Sequence, residues 1–147
     1  MAKDKNYYLQ CFSSLTLNHY HDEWAPHKPI LLLSIIDLYE YGVLDSIRIE
    51  LSPMLEYSFS VTWSRYAKPS EHYHPTIANP FWHLHNEPFW RLVPKKGSDV
   101  KSFSSPYSID NLKNNFYAEI DQELFLLLEN EPFRNESRNL VITTYLK

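Results

Sequence analysis

The sequence contains little cysteine, glycine, positive charge or continuous apolar sequence, and each shortage excludes a class of protein. One cysteine, Cys11, excludes an internal disulfide framework and predicts a cytoplasmic protein. Two glycines exclude the glycine-rich loops that bind nucleotide phosphates. No apolar run reaches the roughly 18 residues of a membrane-spanning helix, and the first residues lack the apolar core of a signal peptide. We therefore predict no membrane partner.

The net charge of −4 limits how the protein can bind a polyanion. Proteins that bind nucleic acid through many phosphates are usually basic, so any such binding here must come from a local patch. The acidic side chains concentrate in the last third of the chain. They include Asp110, Glu119, Asp121, Glu123, Glu129, Glu131 and Glu136.

The length of 147 residues predicts a single domain, residues 1–147, with a sizeable buried core. Amphipathic spacing predicts a first helix over Asn6–Leu15, and a loop over Thr16–Pro26 follows it. The almost entirely apolar run that starts at Pro29 predicts a buried central helix. Proline fits the first turn of such a helix, and Gly42 fits its end.

The rest of the chain predicts a small sheet and further helices. Ile47–Leu51 alternates as a strand does, Ser52-Pro53 favours the start of a helix, and Ala67–Pro80 is a long loop. Pro80–Leu84 and Pro88–Leu92 repeat one pattern, which predicts two antiparallel strands of a hairpin. Further helices are predicted over Ile109–Phe116, over Gln122–Asn130 behind an Asp121 cap, and over Phe133–Leu146. The predicted fold class is α+β: a mostly helical single domain with a buried central helix and a small antiparallel sheet.

The start of the central helix is a candidate anion site. The first N–H groups of a helix lack internal partners, and the helix dipole adds partial positive charge there. His27 and Lys28 add a titratable donor and a full charge at this end. The alternative is that His27 only caps the helix while Lys28 faces water.

Two other groups of residues are candidates for binding. The proline and aromatic residues of the loop that ends at Asn79 and Pro80 predict a rigid, partly apolar pocket. Arg91, Lys95 and Lys96, with His83 and His85 nearby, predict an electrostatic surface for a polyanion.

Metal-dependent or nucleophilic catalysis has weaker support in the sequence. His72-x-His74 and His83-x-His85 have spacings compatible with a metal, but the same residues suit a polar loop and an exposed strand. No Gly-x-Ser-x-Gly turn is present, and most carboxylates lie in the predicted C-terminal helices. We therefore predict no catalytic residues, no bound metal and no cofactor.

Two short motifs resemble a known family. They are Ala25–Leu33, read Ala-Pro-His-Lys-Pro-Ile-Leu-Leu-Leu, and Asn79–Leu84, read Asn-Pro-Phe-Trp-His-Leu. The chain resembles the sulfur-binding domain that precedes the HNH nuclease in type IV, modification-dependent restriction endonucleases. That family recognises DNA in which one non-bridging phosphate oxygen is replaced by sulfur. The resemblance extends from about Trp24 to Leu146.

The resemblance implies roles for individual residues. It places His27 and Lys28 on the DNA backbone, and Asn79, Pro80 and His83 around the sulfur. The chain departs from the family at three of these positions. Asn79 stands where tyrosine is common, His83 where a small residue is common, and Lys28 where arginine supplies a planar, two-pronged donor.

The resulting prediction is a non-enzymatic reader that binds double-stranded DNA with a phosphorothioate linkage. Such a reader would serve a restriction endonuclease whose nuclease domain is not evident in this chain. One alternative is a metal-dependent nuclease that uses His72, His74, His83 and His85. Another is a protein-interaction module with exposed aromatic residues. The flanking bases, the phosphorothioate stereoisomer and a homodimer stay open at this point.

Overall fold

The computed structural model describes residues 2–20, 22–95 and 108–147. In these residues the chain forms helices α1 (Lys5–Ser13), α2 (His27–Glu40), α3 (Pro53–Tyr66), α4 (Ala78–His83), α5 (Ile109–Asn115), α6 (Gln122–Leu128) and α7 (Glu131–Val141). A short 3₁₀ turn, Leu84–Asn86, follows α4, and a π turn, Ile142–Leu146, follows α7. The strands are β1 (His19–Tyr20), β2 (Glu23–Trp24), β3 (Arg48–Ile49), β4 (Trp90–Pro94) and β5 (Phe116–Ile120). The mostly helical α+β prediction is confirmed, and no described helix is both long and apolar enough to cross a bilayer.

Helix α2 is the buried centre of the domain, as predicted. It packs against α3, α4, α6 and α7, so its side chains are apolar on almost every side. Its buried polar residues are Lys28 and Ser34, and the Ser34 hydroxyl donates to the Ile30 carbonyl 2.7 Å away. Gly42 follows the helix with φ of +75°, the left-handed conformation that glycine adopts without strain.

A three-stranded antiparallel sheet with the order β3–β5–β4 packs beside the helices. The central strand alternates as a half-buried strand does, with Phe116, Ala118 and Ile120 buried. On its other face Glu119 lies opposite Arg91, with their carboxylate and guanidinium groups 3.6 Å apart. The alternation places one face of the sheet in the hydrophobic core.

The predicted hairpin of the segments that begin at Pro80 and Pro88 is wrong. The first segment is helix α4, because proline fits a first helical turn and because Phe81 and Trp82 are both buried. A strand would place these neighbours on opposite faces. The second segment forms β4, whose partner is β5 rather than the first segment. The two segments pack together, and Trp90 Nε1 donates to the Phe81 carbonyl 3.0 Å away.

Two strands lie where other structure was predicted. The predicted loop Thr16–Pro26 contains a small hairpin, in which β1 and β2 pair antiparallel. The strand β5 lies between the predicted helices Ile109–Phe116 and Gln122–Asn130, and the sequence prediction missed it. The helix after Ser52-Pro53 is confirmed as α3, and its Ser52 side chain accepts from the Leu55 N–H.

The carboxylate of Asp121 joins α1 to the sheet. It occupies the position before α6, as predicted, but its side chain does not cap that helix. Instead Asp121 accepts from the Tyr8 hydroxyl at 2.7 Å and from Arg91 at 2.6 Å. Burial alone would raise the pKa of Asp121, but these donors, together with Lys3, hold the pKa below its usual value.

The Tyr145 hydroxyl fixes the end of α1. It donates to the Phe12 carbonyl at 2.7 Å and accepts from the Leu15 N–H at 2.9 Å. Tyr145 belongs to the π turn after α7, so the last turn of the chain holds the segment that leaves α1. That segment continues directly into the cavity described next.

Candidate functional site

A cavity of about 550 Å³ lies where α2 begins. One part of its wall comes from the segment after α1, the base of the β1–β2 hairpin and the start of α2. The rest comes from the loop of residues 67–77 and from α4 with the turn after it. The lining residues are Thr16, Leu17, Asn18, Ala25, His27, Lys28, His72, Tyr73, His74, Thr76, Asn79, Pro80, His83 and Asn86. The residues predicted for the helix start and for the sulfur pocket therefore line one cavity, although some fifty positions separate the two motifs.

The first turn of α2 gives this cavity a partial positive charge. Its preceding residue, Pro26, has no side chain that could cap the helix, and the first i→i−4 hydrogen bond joins the Ile30 N–H to the Pro26 carbonyl. The N–H groups of His27 and Lys28 therefore precede the regular hydrogen bonding of the helix. Pro29 has no N–H, so the donors that lack a partner within the helix at this end belong to two adjacent residues, His27 and Lys28.

His27 holds the opposite wall of the cavity in place. Its Nε2 lies 2.7 Å from the His74 carbonyl oxygen, and because a carbonyl can only accept, Nε2 carries the proton and donates. The ring also packs against Trp63 and Tyr73, with centroids 4.8 and 5.8 Å away. Burial lowers the pKa of His27, so the ring is neutral at pH 7.

Lys28 lines the cavity but is held in a buried ion pair. The residue is 8% exposed, and its Nζ donates to Glu87 Oε2 at 2.7 Å and to the Thr16 carbonyl at 2.8 Å. The same Glu87 oxygen accepts from the Thr16 N–H. The sequence predicted a full positive charge here, whereas the structure compensates that charge with the Glu87 carboxylate.

Helix α4 presents the residues predicted for the sulfur pocket. Pro80 is buried, and Asn79 is exposed with its side-chain amide donating to Thr76 Oγ1 at 3.1 Å. His83 is partly buried, and burial, with smaller contributions from Lys28 and His85, lowers its pKa. Pro80, together with Leu17 and Ala25, gives the cavity an apolar part beside the polar helix start.

Of the remaining predicted residues, Arg91 and Lys95 are described by the structure and do not line this cavity. The Arg91 guanidinium contacts Asp121, and Lys95 Nζ lies 3.0 Å from Glu50 and donates to the Lys113 carbonyl. Lys96 lies outside the described residues. Contact of Arg91, Lys95 and Lys96 with the DNA backbone therefore stays a prediction.

The histidines do not form the metal centre of the nuclease alternative. His72, His74 and His83 line the cavity, but His85 does not, and its Nδ1 donates to the Trp82 carbonyl at 2.6 Å. In the part of the chain that the structure describes, no three His, Cys, Asp or Glu side chains converge as metal ligands would.

Sequence reasoning missed part of the wall. Leu17, Asn18 and Ala25 come from a segment that the sequence predicted to be a simple loop. The only signal was the polar, aromatic composition of that segment, which does not indicate a hairpin. Glu87 was also missed, because an Asn-Glu-Pro sequence is typical of a solvated turn.

Comparison with solved structures finds domains of similar fold. The sequence matches no protein-family model and no curated protein. The structure is similar to the sulfur binding domain of SprMcrA complexed with phosphorothioated DNA, with a TM-score of 0.69 and 15% identity over 97% of this chain and 86% of that one. The sulfur binding domain of ScoMcrA, also complexed with phosphorothioated DNA, gives a TM-score of 0.69 and 14% identity over 94% of this chain and 86% of that one.

A third structure contains the sulfur binding domain and SRA domain of ScoMcrA with phosphorothioated DNA. It has a TM-score of 0.71 and 15% identity to this chain, and the match covers 94% of this chain and 42% of that one. The chain therefore has the fold of these sulfur-binding domains.

Proposed function

We propose that this protein binds double-stranded DNA and recognises a phosphorothioate linkage in the cavity at the start of α2. The observation that carries the proposal is that His27, Lys28, Asn79, Pro80 and His83 line one cavity. The similar solved domains, which are complexed with phosphorothioated DNA, support it. We also propose that the protein acts as a reader without catalysis of its own, in a restriction system whose nuclease is a separate module.

The cavity has the chemistry that such a linkage requires. A phosphorothioate is an anion, and the N–H groups at the start of α2, which lack partners within the helix, favour an anion. Its sulfur is larger and less well hydrated than oxygen, so an apolar wall such as the Pro80 ring favours it. Because Glu87 compensates Lys28, general attraction to phosphate is weak, which keeps the binding of unmodified DNA low.

A competition titration tests the proposal directly. One short duplex is prepared unmodified and with a single phosphorothioate in each stereochemical form, and the three compete for the protein at about 0.15 M salt. We expect a clear preference for one modified stereoisomer. Equal affinity for all three duplexes would show that the protein binds DNA without recognising the sulfur. No binding at low salt would instead favour the protein-interaction alternative.

We expect Pro80→Ala to reduce the preference for modified DNA without weakening the binding of plain DNA. The substitution removes part of the apolar wall and no charge, and tens of Å² at about 25 cal/mol per Å² give on the order of 1 kcal/mol, a factor of about five. The measurement is the ratio of the two dissociation constants. Pro132→Ala is the matched control, because Pro132 also lies in a first helical turn but does not line the cavity. Equal losses on both duplexes would contradict a sulfur pocket at Pro80.

We expect DNA affinity and fold stability to change in opposite directions as the pH falls from 8 to 6. An anion in the cavity favours protonated His83, so binding takes up a proton and affinity rises by up to about tenfold per pH unit. Burial in the fold lowers the pKa values of both His27 and His83. The stability from these neutral rings is therefore present above the unfolded pKa, about 6.5, and is lost as the pH falls through the folded value.

Titrations and denaturant unfolding at matched pH values measure the two trends. Among the described residues, the other ionisable groups that line the cavity are Lys28, which Glu87 compensates, the Tyr73 hydroxyl, and the imidazoles of His72 and His74. The variant His83→Asn should reduce the rise in affinity. An affinity that stays constant from pH 8 to pH 6 would show that His83 does not face the bound anion.

A further inference from the structure

The β1–β2 hairpin extends from the cavity wall and carries an exposed tryptophan. Asn18 and Ala25, the residues just before β1 and just after β2, line the cavity, and the Ala25 N–H donates to the Asn18 carbonyl at 2.7 Å. In the hairpin Trp24 pairs in register with His19. The Trp24 side chain is 62% exposed, although an indole is among the largest apolar surfaces that a protein can bury.

The hairpin is held firmly to the loop of residues 67–77. Ser70 Oγ donates to Glu23 Oε2 at 2.7 Å, and the Tyr73 hydroxyl donates to the Glu23 carbonyl at 3.3 Å. The ring of Tyr20 packs on His72, with 4.1 Å between centroids. Since Tyr73 and His72 themselves line the cavity, the hairpin keeps a fixed position beside it.

The indole of Trp24 is oriented for stacking. The His19 imidazole lies against it with 4.7 Å between centroids and 31° between the ring planes, so one face of the indole is supported. The high exposure of the residue leaves the rest of the indole accessible to a ligand. A supported aromatic ring loses little conformational freedom on binding, which is the property of a stacking platform for a base.

We propose that Trp24 stacks on a nucleobase that has left the duplex stack next to the phosphate in the cavity. The proposal rests on the proposed function, because it places that phosphate at the start of α2. Ala25 lines the cavity and Trp24 is its neighbour in the chain, about 3.8 Å away between Cα atoms. A base inside a paired duplex has both faces covered, so only an unpaired or extruded base can accept the indole.

Binding to four duplexes distinguishes stacking on Trp24 from recognition of the sulfur. They carry or lack the phosphorothioate, and carry or lack one unpaired base beside the same linkage. We expect the unpaired base to raise the affinity of the wild-type protein about tenfold, a typical effect of stacking one base on an aromatic side chain. Trp24→Ala should lose this gain and keep its preference for phosphorothioate, whereas Trp24→Phe should keep most of the gain.

Two controls distinguish the loss of base stacking from a general effect of the substitution on the structure. Tyr41→Ala removes an aromatic side chain that is 74% exposed and does not line the cavity, so it should behave as the wild type does. An abasic site in place of the unpaired base should give no gain. A Trp24→Ala variant that keeps the tenfold gain overturns the proposal, and so does one that loses affinity equally for all four duplexes. Failure of the proposed function would appear separately, as the absence of a phosphorothioate preference in the wild-type protein.

Discussion

Replacing Lys28 with methionine should destabilise the fold by about 3–5 kcal/mol, because removing one partner of a buried ion pair leaves the other charge uncompensated. Glu87 is that partner, and both side chains are almost entirely buried. Methionine keeps the length and the apolar stem of lysine, so the loss comes mainly from the ammonium group. Urea unfolding of the variant and the wild type measures the difference.

Two further variants identify the cause of this loss. The double substitution Lys28→Met with Glu87→Gln removes both charges, and the glutamine oxygen can still accept from the Thr16 N–H, so most of the stability should return. Lys113→Met breaks a pair with Glu56 that is about one-third exposed, and it should cost at most about 1 kcal/mol. If Lys28→Met were as stable as the wild type and its DNA binding depended less on salt, the Lys28 ammonium would contact phosphate instead.

Replacing His27 with alanine should weaken binding of the phosphorothioate duplex by about 10- to 100-fold. The variant loses the hydrogen bond to the His74 carbonyl and the packing against Trp63 and Tyr73, together worth roughly 1–3 kcal/mol. These contacts position one wall of the cavity. Because His27 is neutral at pH 7, the dependence of affinity on salt should stay unchanged.

The salt dependence separates positioning from a direct phosphate contact. If His27 neutralised a phosphate, the slope of log affinity against log salt would fall by about 0.9 in His27→Ala. His85→Ala is a matched control, because His85 also donates to a carbonyl and packs against an indole, that of Trp82, but lies outside the cavity lining. Its affinity should equal that of the wild type. A large loss in both variants would point to general destabilisation.

Local signals in the sequence were sufficient for the central helix, whereas the two motifs of the cavity were joined only through the family resemblance. The apolar run after Pro29 and the glycine at position 42 define α2 without reference to any other segment. The two motifs that the resemblance joined, at His27 and at Asn79, meet at one cavity. Their roles there are still predictions that the experiments above can test.

The errors concern features that depend on distant residues. Strand β5 exists because β3 and β4 pair with it, and neither partner adjoins it in sequence. The segment after Pro80 repeats the pattern after Pro88, yet only tertiary packing makes one a helix and the other a strand. The burial of Lys28 likewise depends on Glu87, which lies 59 positions further along the chain.

The bonds that Tyr145 makes to Phe12 and Leu15 have a consequence for how the cavity forms. Leu15 and Tyr145 are 130 positions apart, so their contact closes nearly the whole chain into a loop. The entropy lost in such a closure must be offset by other contacts first, so contacts of this separation form late in folding. Thr16 and Leu17 come directly after Leu15 and line the cavity. We therefore expect the cavity to be among the last parts of the fold to be completed, and a ligand that binds there to favour chains whose π turn has already docked.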